Sequence, residues 1–271
     1  MDIFQSIILG IVQGLTEFLP VSSSGHLSLL EALFGFTDVP LFYDVMLHIG
    51  TLAAVCIVLW PEIVGLLTHP VRNKLGMLIL ATVPAAVVTL VCEKAFPEAF
   101  QNILNGKFLA FGFFGTTAVL LLADFLHPRK QRARIELPQA LVMGAMQACA
   151  IIPGLSRSGS TIAGGLFCGI RREKAARYAF LMAIPTILGG LVFSAADVAE
   201  NGMGDVSIPA VVTGTIAAAL CGYFAIRFML RLISRHRLWG FAVYTAALGV
   251  LILIETQVFA NPTFTALNPF A

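Results

Sequence analysis

Residues 10–26 read GIVQGLTEFLPVSSSGH, and residues 144–161 read GAMQACAIIPGLSRSGST. The second stretch repeats the first. Gly10, Gln13, Ser22, Ser24 and Gly25 recur as Gly144, Gln147, Ser156, Ser158 and Gly159, all at one offset of about 134 residues. Each stretch is an apolar helical run broken by proline into a Ser/Gly-rich loop. Each loop carries one group fit for anion chemistry, His26 in the first and Arg157 in the second.

The chain around these loops is greasy. Of its 271 residues 58% are hydrophobic and 12% charged, against about 25% charged in soluble domains, and its mean hydropathy is +0.89. Apolar stretches of about 20 residues indicate an all-α polytopic membrane protein. Their continuity argues against a β-barrel, whose strands alternate. The opening MDIFQSIILG has neither the basic leader nor the cleavage site of a secretory signal. Five cysteines stand singly among apolar residues and suggest neither a disulfide framework nor a zinc site. A net charge of +2 says little by itself, and no nucleic-acid partner is expected.

Six segments can cross a bilayer: residues 41–60, 75–93, 106–126, 178–197, 208–230 and 239–258. Residues 1–36 and 137–171 differ, with short apolar arms around a polar loop, and read as re-entrant helical hairpins. The expected architecture is a single membrane domain, residues 1–271, of two pseudo-repeats (1–133 and 134–271). Each repeat is one hairpin followed by three transmembrane helices. Three crossings are odd, so the repeats are inverted and bring two half-sites together near the midplane. Charge agrees. With the first hairpin opening on one face, fourteen of the seventeen basic residues fall on the other, in groups around Arg72, Arg129, Arg171 and Arg227. Lys94 and Lys107 fall on the first face. The positive-inside rule then makes the basic face cytoplasmic and puts both termini outside. Those arginines also suit anionic headgroups.

Glu17 lies at membrane depth, one helical turn after Gln13 and on the same helix face. An ionisable group there is costly and points to function. Its carboxylate and the Gln13 amide suit a hard cation, Mg²⁺ or Ca²⁺; pairing with Arg157 to hold the hairpins together is the alternative. Ser22, Ser23, Ser24, Gly25 and His26 form a hydroxyl-rich loop ending in a base that could activate a serine, or a plain loop in which His26 is a helix cap. Gly25 lets backbone N–H groups face an anion. Arg157, amid Ser156, Ser158, Gly159, Ser160 and Thr161, is a fork for phosphate oxygens, next to a helix expected to start near Ser160. Asp44 and His48 share a helix face and could support the site or bond another helix. Asp124 and Glu255, near span ends, are expected to be inert.

At these residues the chain resembles the undecaprenyl-diphosphate phosphatases of the bacitracin-resistance type. Gln13-Gly-Leu-Thr-Glu17 running into residues 20–26 matches their (E/Q)xxxE…PVSSSGH segment. Pro153-Gly-Leu-Ser-Arg157-Ser-Gly-Ser-Thr161 matches PGxSRSxxT. The resemblance covers essentially the whole chain. It implies hydrolysis of undecaprenyl diphosphate to undecaprenyl phosphate and inorganic phosphate, recycling the lipid carrier for cell-wall synthesis and conferring bacitracin resistance. It also implies a divalent cation and a multi-pass protein of the bacterial cytoplasmic (inner) membrane whose site faces outward. Glu17 and Gln13 then take the acidic-motif positions, Ser23 and His26 the catalytic-loop positions, and Arg157 the phosphate-binding position. Gln13 stands where many members carry Glu and leaves a single carboxylate. Ser23 as nucleophile with His26 as base, His26 as nucleophile, and His26 activating water all remain open. Beyond the lipid substrate and membrane lipid, a homodimer is compatible with this reading. A transporter or lipid flippase is the rival the repeat architecture alone would allow.

Overall fold

In the computed structural model, residues 2–35, 39–71, 74–104, 108–128, 131–201 and 207–258 are described. The first hairpin is α1 (Ile3–Phe18) and α2 (Ser23–Phe34). Asp2 and Gln5 start α1 as a reciprocal capping box, each side chain accepting from the other's backbone N–H. Pro20 ends it, because the residue before a proline is driven to extended backbone, as Leu19 is. After α3 (Leu41–Val58), α4 (Trp60–Thr68), α5 (Leu75–Ala95), α6 (Pro97–Leu104) and α7 (Leu109–Leu126), the second hairpin follows as α8 (Leu137–Cys149) and α9 (Arg157–Phe167). Last come α10 (Arg172–Asn201), α11 (Ile208–Ile233) and α12 (Trp239–Leu253), the last prolonged by a π turn, Ile254–Val258. Among the described residues there is no strand, only a bridge of Arg132 to Ile170.

Six of these helices are long and apolar enough to cross a bilayer, and they coincide with the six expected segments. The chain is a polytopic membrane protein. The four hairpin arms have 16, 12, 13 and 11 residues. At 1.5 Å per residue none exceeds about 24 Å, short of the ~30 Å hydrocarbon core. Three expectations need adjusting. α9 starts at Arg157 instead of near Ser160, because the Ser156 hydroxyl caps it by accepting the Gly159 N–H at 3.0 Å. α10 starts at Arg172, six residues early by numbering, since its first turns are polar. α4 and α6 were not expected; Pro61 in the first turn of α4 opens a new helix inside the apolar run.

Packing runs across the two halves of the sequence. α1 lies on α11 and α3, α8 on α5 and α9, α7 on α12, and α10 on α3. The recurring glycines permit the closest crossings. A Cβ on Gly10 would overlap the Gly214 carbonyl of α11, and one on Gly144 would overlap the Ala81 carbonyl of α5. Ser6, near the start of α1, donates to the Ala210 carbonyl near the start of α11. Lys74, before α5, donates to the Ile135 carbonyl just ahead of α8 at 3.2 Å. The largest buried cluster joins α1, α3, α5 and α7–α12, while large apolar side chains such as Val192, Ile216, Phe224 and Phe125 face outward, as a lipid solvent requires.

Asp124 has a structural part that the sequence did not suggest. One oxygen lies 2.7 Å from Arg172 Nη2, and the other accepts the Leu238 and Trp239 N–H groups at 2.6 and 3.0 Å. It thereby ties α7 to the starts of α10 and α12. Its place at a span end is where the free N–H groups of the next helix also lie. Arg72, Lys107, Arg129 and Lys130, used in the charge count, lie outside the described residues.

Candidate functional site

Glu17 closes α1 with its side chain only 2% exposed. Arg157 Nη2 donates to Oε1. Oε2 accepts from Ser23 Oγ at 2.6 Å and from Gln13 Nε2 at 3.1 Å, and His48 Nε2 stands 3.9 Å away. Gln13 reaches Glu17 because four residues make one helical turn. Ser23 reaches it because the Pro20 turn folds α2 back on α1. Arg157 arrives from the other half of the chain as the first residue of α9. The sequence offered Glu17 as a cation ligand or as the partner of Arg157, and the structure shows the pair.

The two helix starts are built alike. The Ser22 hydroxyl accepts the Gly25 N–H at 3.3 Å as Ser156 accepts that of Gly159. Ser22 and Ser24 hydroxyls lie 3.3 Å apart, and Ser156 and Ser158 hydroxyls 3.2 Å. Ser158 Oγ also donates to the Leu19 carbonyl at 2.9 Å, joining the loops, and Thr161 Oγ1 donates to the Arg157 carbonyl at 2.8 Å. The starts of α2 and α9, each with the positive end of a helix dipole, therefore meet beside one buried carboxylate. Gly25 fits only because it has no side chain: a Cβ there would lie 2.7 Å from the Phe113 ring and 3.1 Å from Gly154 Cα.

His26 points elsewhere. Its Nδ1 lies 2.7 Å from the Ser22 carbonyl, which can only accept, so Nδ1 carries the proton. Nε2 is then free to accept the Tyr244 hydroxyl at 2.7 Å. The two rings stack at 13° with centroids 5.6 Å apart, and Phe113 meets His26 edge-on. At rest the Ser23 hydroxyl serves Glu17 and the His26 ring is held by Tyr244.

A cavity of about 310 Å³ opens between α3 and α10, with Arg157, His48, Asp44, Thr186 and Ser194 in its wall and Leu41 at the first residue of α3. Gln147 Nε2 donates to Thr186 Oγ1 at 3.0 Å. The repeat-related amides Gln13 and Gln147 each keep a buried Oε1 that has no partner among the described residues.

Three residues escaped the sequence reading. Thr116 of α7 donates to the Gly154 carbonyl at 2.7 Å and accepts the Ser156 N–H at 2.8 Å, fixing the second loop. Tyr244 and Thr186 hold His26 and Gln147. A hydroxyl within an apolar span was their only signal. Among the described residues no three His, Cys, Asp or Glu side chains cluster as a ready metal site. The oxygen donors nearest to such a role are Glu17 and the unpartnered Gln13 Oε1, a hard pair suited to Mg²⁺ or Ca²⁺.

The family profile described as "Bacitracin resistance protein BacA" matches residues 6–251. Undecaprenyl-diphosphatase 4 of Bacillus thuringiensis subsp. konkukian is 40% identical over 256 residues, 93% of this chain and 97% of its own length. The undecaprenyl-diphosphatase of Carboxydothermus hydrogenoformans is 40% identical over 259 residues, 94% of this chain and 97% of its own. That of Treponema denticola is 38% identical over 271 residues, 96% of this chain and all of its own.

Proposed function

Because the chain belongs to the bacitracin resistance protein BacA family, we propose that it hydrolyses undecaprenyl diphosphate to undecaprenyl phosphate and inorganic phosphate. In the cell this returns the lipid carrier to cell-wall synthesis and gives bacitracin resistance. The observation that carries the reading is the buried Glu17–Arg157 pair at the meeting of two helix N-termini, beside a cavity lined by Arg157. Such a site binds and polarises a phosphoryl group.

Arg157 turns from Glu17 to the terminal phosphate, and the starts of α2 and α9 add their N–H dipoles. Ser23 Oγ, whose proton already faces Glu17 Oε2, attacks the terminal phosphorus. The bond to the bridging oxygen breaks, undecaprenyl phosphate leaves, and Glu17 takes the proton. Water then attacks the phosphoserine phosphorus and passes a proton to Nε2 of His26, one turn beyond Ser23 on α2, once the Tyr244 hydroxyl has released that nitrogen. The P–Oγ bond breaks, Glu17 returns its proton to Ser23 Oγ, and inorganic phosphate leaves. Glu17 and Gln13 would hold a divalent cation, whose chemistry is to neutralise charge on the diphosphate.

The reciprocal packing supports inverted repeats: α1 lies on a helix of the second half and α8 on one of the first, each through the same glycine of the repeat. With the basic end cytoplasmic, the site belongs to the outer side of the cytoplasmic membrane and both termini lie outside. A cysteine placed near position 201 of a cysteine-free variant then reacts with an impermeant thiol reagent in intact cells, and one at Gln131 only after permeabilisation. Opposite sidedness refutes the orientation.

Purified protein in detergent, given undecaprenyl diphosphate, is expected to release phosphate, and Ser23→Ala is not. A transporter on the same architecture releases none, and that outcome rejects the enzyme.

A further inference from the structure

A second polar cavity, of about 510 Å³, lies away from the Glu17 site, where the end of α3, the start of α10 and the end of α11 meet. Its polar wall holds Arg177, Arg227, Arg231, Glu173, Tyr223 and Ser234; its apolar wall holds Ile57, Val58 and Leu230. Arg177 is already matched, with Nη1 2.6 Å from Glu62 and Nε 3.0 Å from Glu173. Arg227 and Arg231 are not, and neither forms an ion pair among the described residues. They stand four residues apart on α11, one above the other, where like charges repel. Arg227 donates to the Tyr223 hydroxyl at 2.6 Å, with its guanidinium 5.4 Å from the ring centre, so one fork is held in place.

We propose that this cavity binds the phosphodiester headgroup of an anionic phospholipid. Arg227 and Arg231 are exposed and have no carboxylate partner among the described residues, so both guanidinium groups are free to take an anion, and a phosphate oxygen pair is what the planar fork fits. Ser234, in the same wall, offers a hydroxyl. The cavity's position favours a lipid over a free ion. It lies at helix ends, with exposed Ile57 in its wall and exposed Phe224 and Phe228 next in sequence to its lining residues Tyr223 and Arg227, an apolar setting for an acyl chain. Basic pockets between helices on the cytoplasmic side of a membrane take such headgroups. None of these residues belongs to the Glu17 site, so the proposal stands apart from the assignment of the reaction.

The test is native mass spectrometry of the full chain in a neutral detergent with added dioleoyl-phosphatidylglycerol or dioleoyl-phosphatidylcholine. The wild type is expected to retain one phosphatidylglycerol preferentially. Arg227→Gln/Arg231→Gln is expected to retain it about tenfold less well, with phosphatidylcholine unchanged. Arg235→Gln/Arg237→Gln removes the same charge outside the cavity and is expected to behave as wild type. If the first double variant aggregates, Arg231→Gln alone carries the same expectation at smaller amplitude. Equal retention by wild type and the cavity variant overturns the site. Equal loss in both double variants overturns it as well, since diffuse surface charge then suffices. Displacement of the lipid by millimolar inorganic phosphate overturns the lipid assignment.

Discussion

Arg157→Ala removes the guanidinium from a carboxylate that is 2% exposed, leaving Ser23 and Gln13 as its hydrogen-bond donors. Breaking a buried ion pair from one side costs about 3–5 kcal/mol. Arg157 itself is 25% exposed, so water can follow into its place from the cavity. That puts the cost near the lower limit, about 3 kcal/mol. Adding Glu17→Gln removes the stranded charge and keeps the side chain's shape. The double variant then loses only the charged hydrogen bond, about 1.5–2 kcal/mol. It should therefore be more stable than the single variant Arg157→Ala. For a chain of this size each kcal/mol moves the midpoint by about 2–4 °C. Arg157→Ala should melt about 6–12 °C below wild type, and the double variant should recover a third to half of that. Thermal unfolding in detergent, followed by fluorescence-detected size-exclusion chromatography, reads both. Phosphate release is expected to be absent from both variants, so the recovery concerns folding alone. A double variant that melts at or below Arg157→Ala refutes the view that a stranded Glu17 charge sets the loss.

Tyr244→Phe keeps the stacked ring and removes the hydroxyl from His26 Nε2. Phosphate release should fall about tenfold in kcat with KM and melting temperature near wild type, and a wild-type kcat would show that Tyr244 has no part in placing His26. Gly144→Ala drives a Cβ into the Ala81 carbonyl and should cost at least 1–3 kcal/mol, whereas Gly189→Ala, with open space around it, should gain about 1 kcal/mol from helix propensity; paired thermal melts decide. Asp124→Ala strands Arg172 and uncaps α12, for a loss of about 2–4 kcal/mol with phosphate release per folded molecule unchanged. A chelator should abolish phosphate release, and excess Mg²⁺ or Ca²⁺ should restore it; full activity in the chelator would remove the cation from the mechanism.

The spans and the hairpins were readable because lipid leaves the backbone few choices, and a twenty-residue apolar run has one outcome. Glu17 and Arg157 stood out for a related reason: charge at depth is rare enough to carry meaning. The structural part of Asp124 was not legible because its partners, Arg172, Leu238 and Trp239, are remote in the chain, and two of the contacts are backbone N–H groups that no sequence pattern marks. Thr116 and Tyr244 were missed for the same reason. A hydroxyl in a span ordinarily bonds its own helix, as Thr215 bonds the Val211 carbonyl, and nothing local marks those that reach another loop. The start of α9 was misplaced because Ser156, Ser158 and Ser160 are equally plausible caps in sequence, and only the fold selects one.

Glu17 and Arg157 are 140 residues apart, and this spacing has a consequence for the birth of the protein. At 5–20 residues per second, the ribosome needs about 7–28 s to travel from one to the other. Through that interval the first hairpin carries a carboxylate with no guanidinium to meet, and Gly10 waits for a groove on α11 that has yet to be made. The hairpin can settle only after most of the second half has entered the bilayer. An unfinished chain therefore lacks the Glu17–Arg157 pair altogether, because neither half holds both charges, and the two hairpins are joined only in the last act of folding.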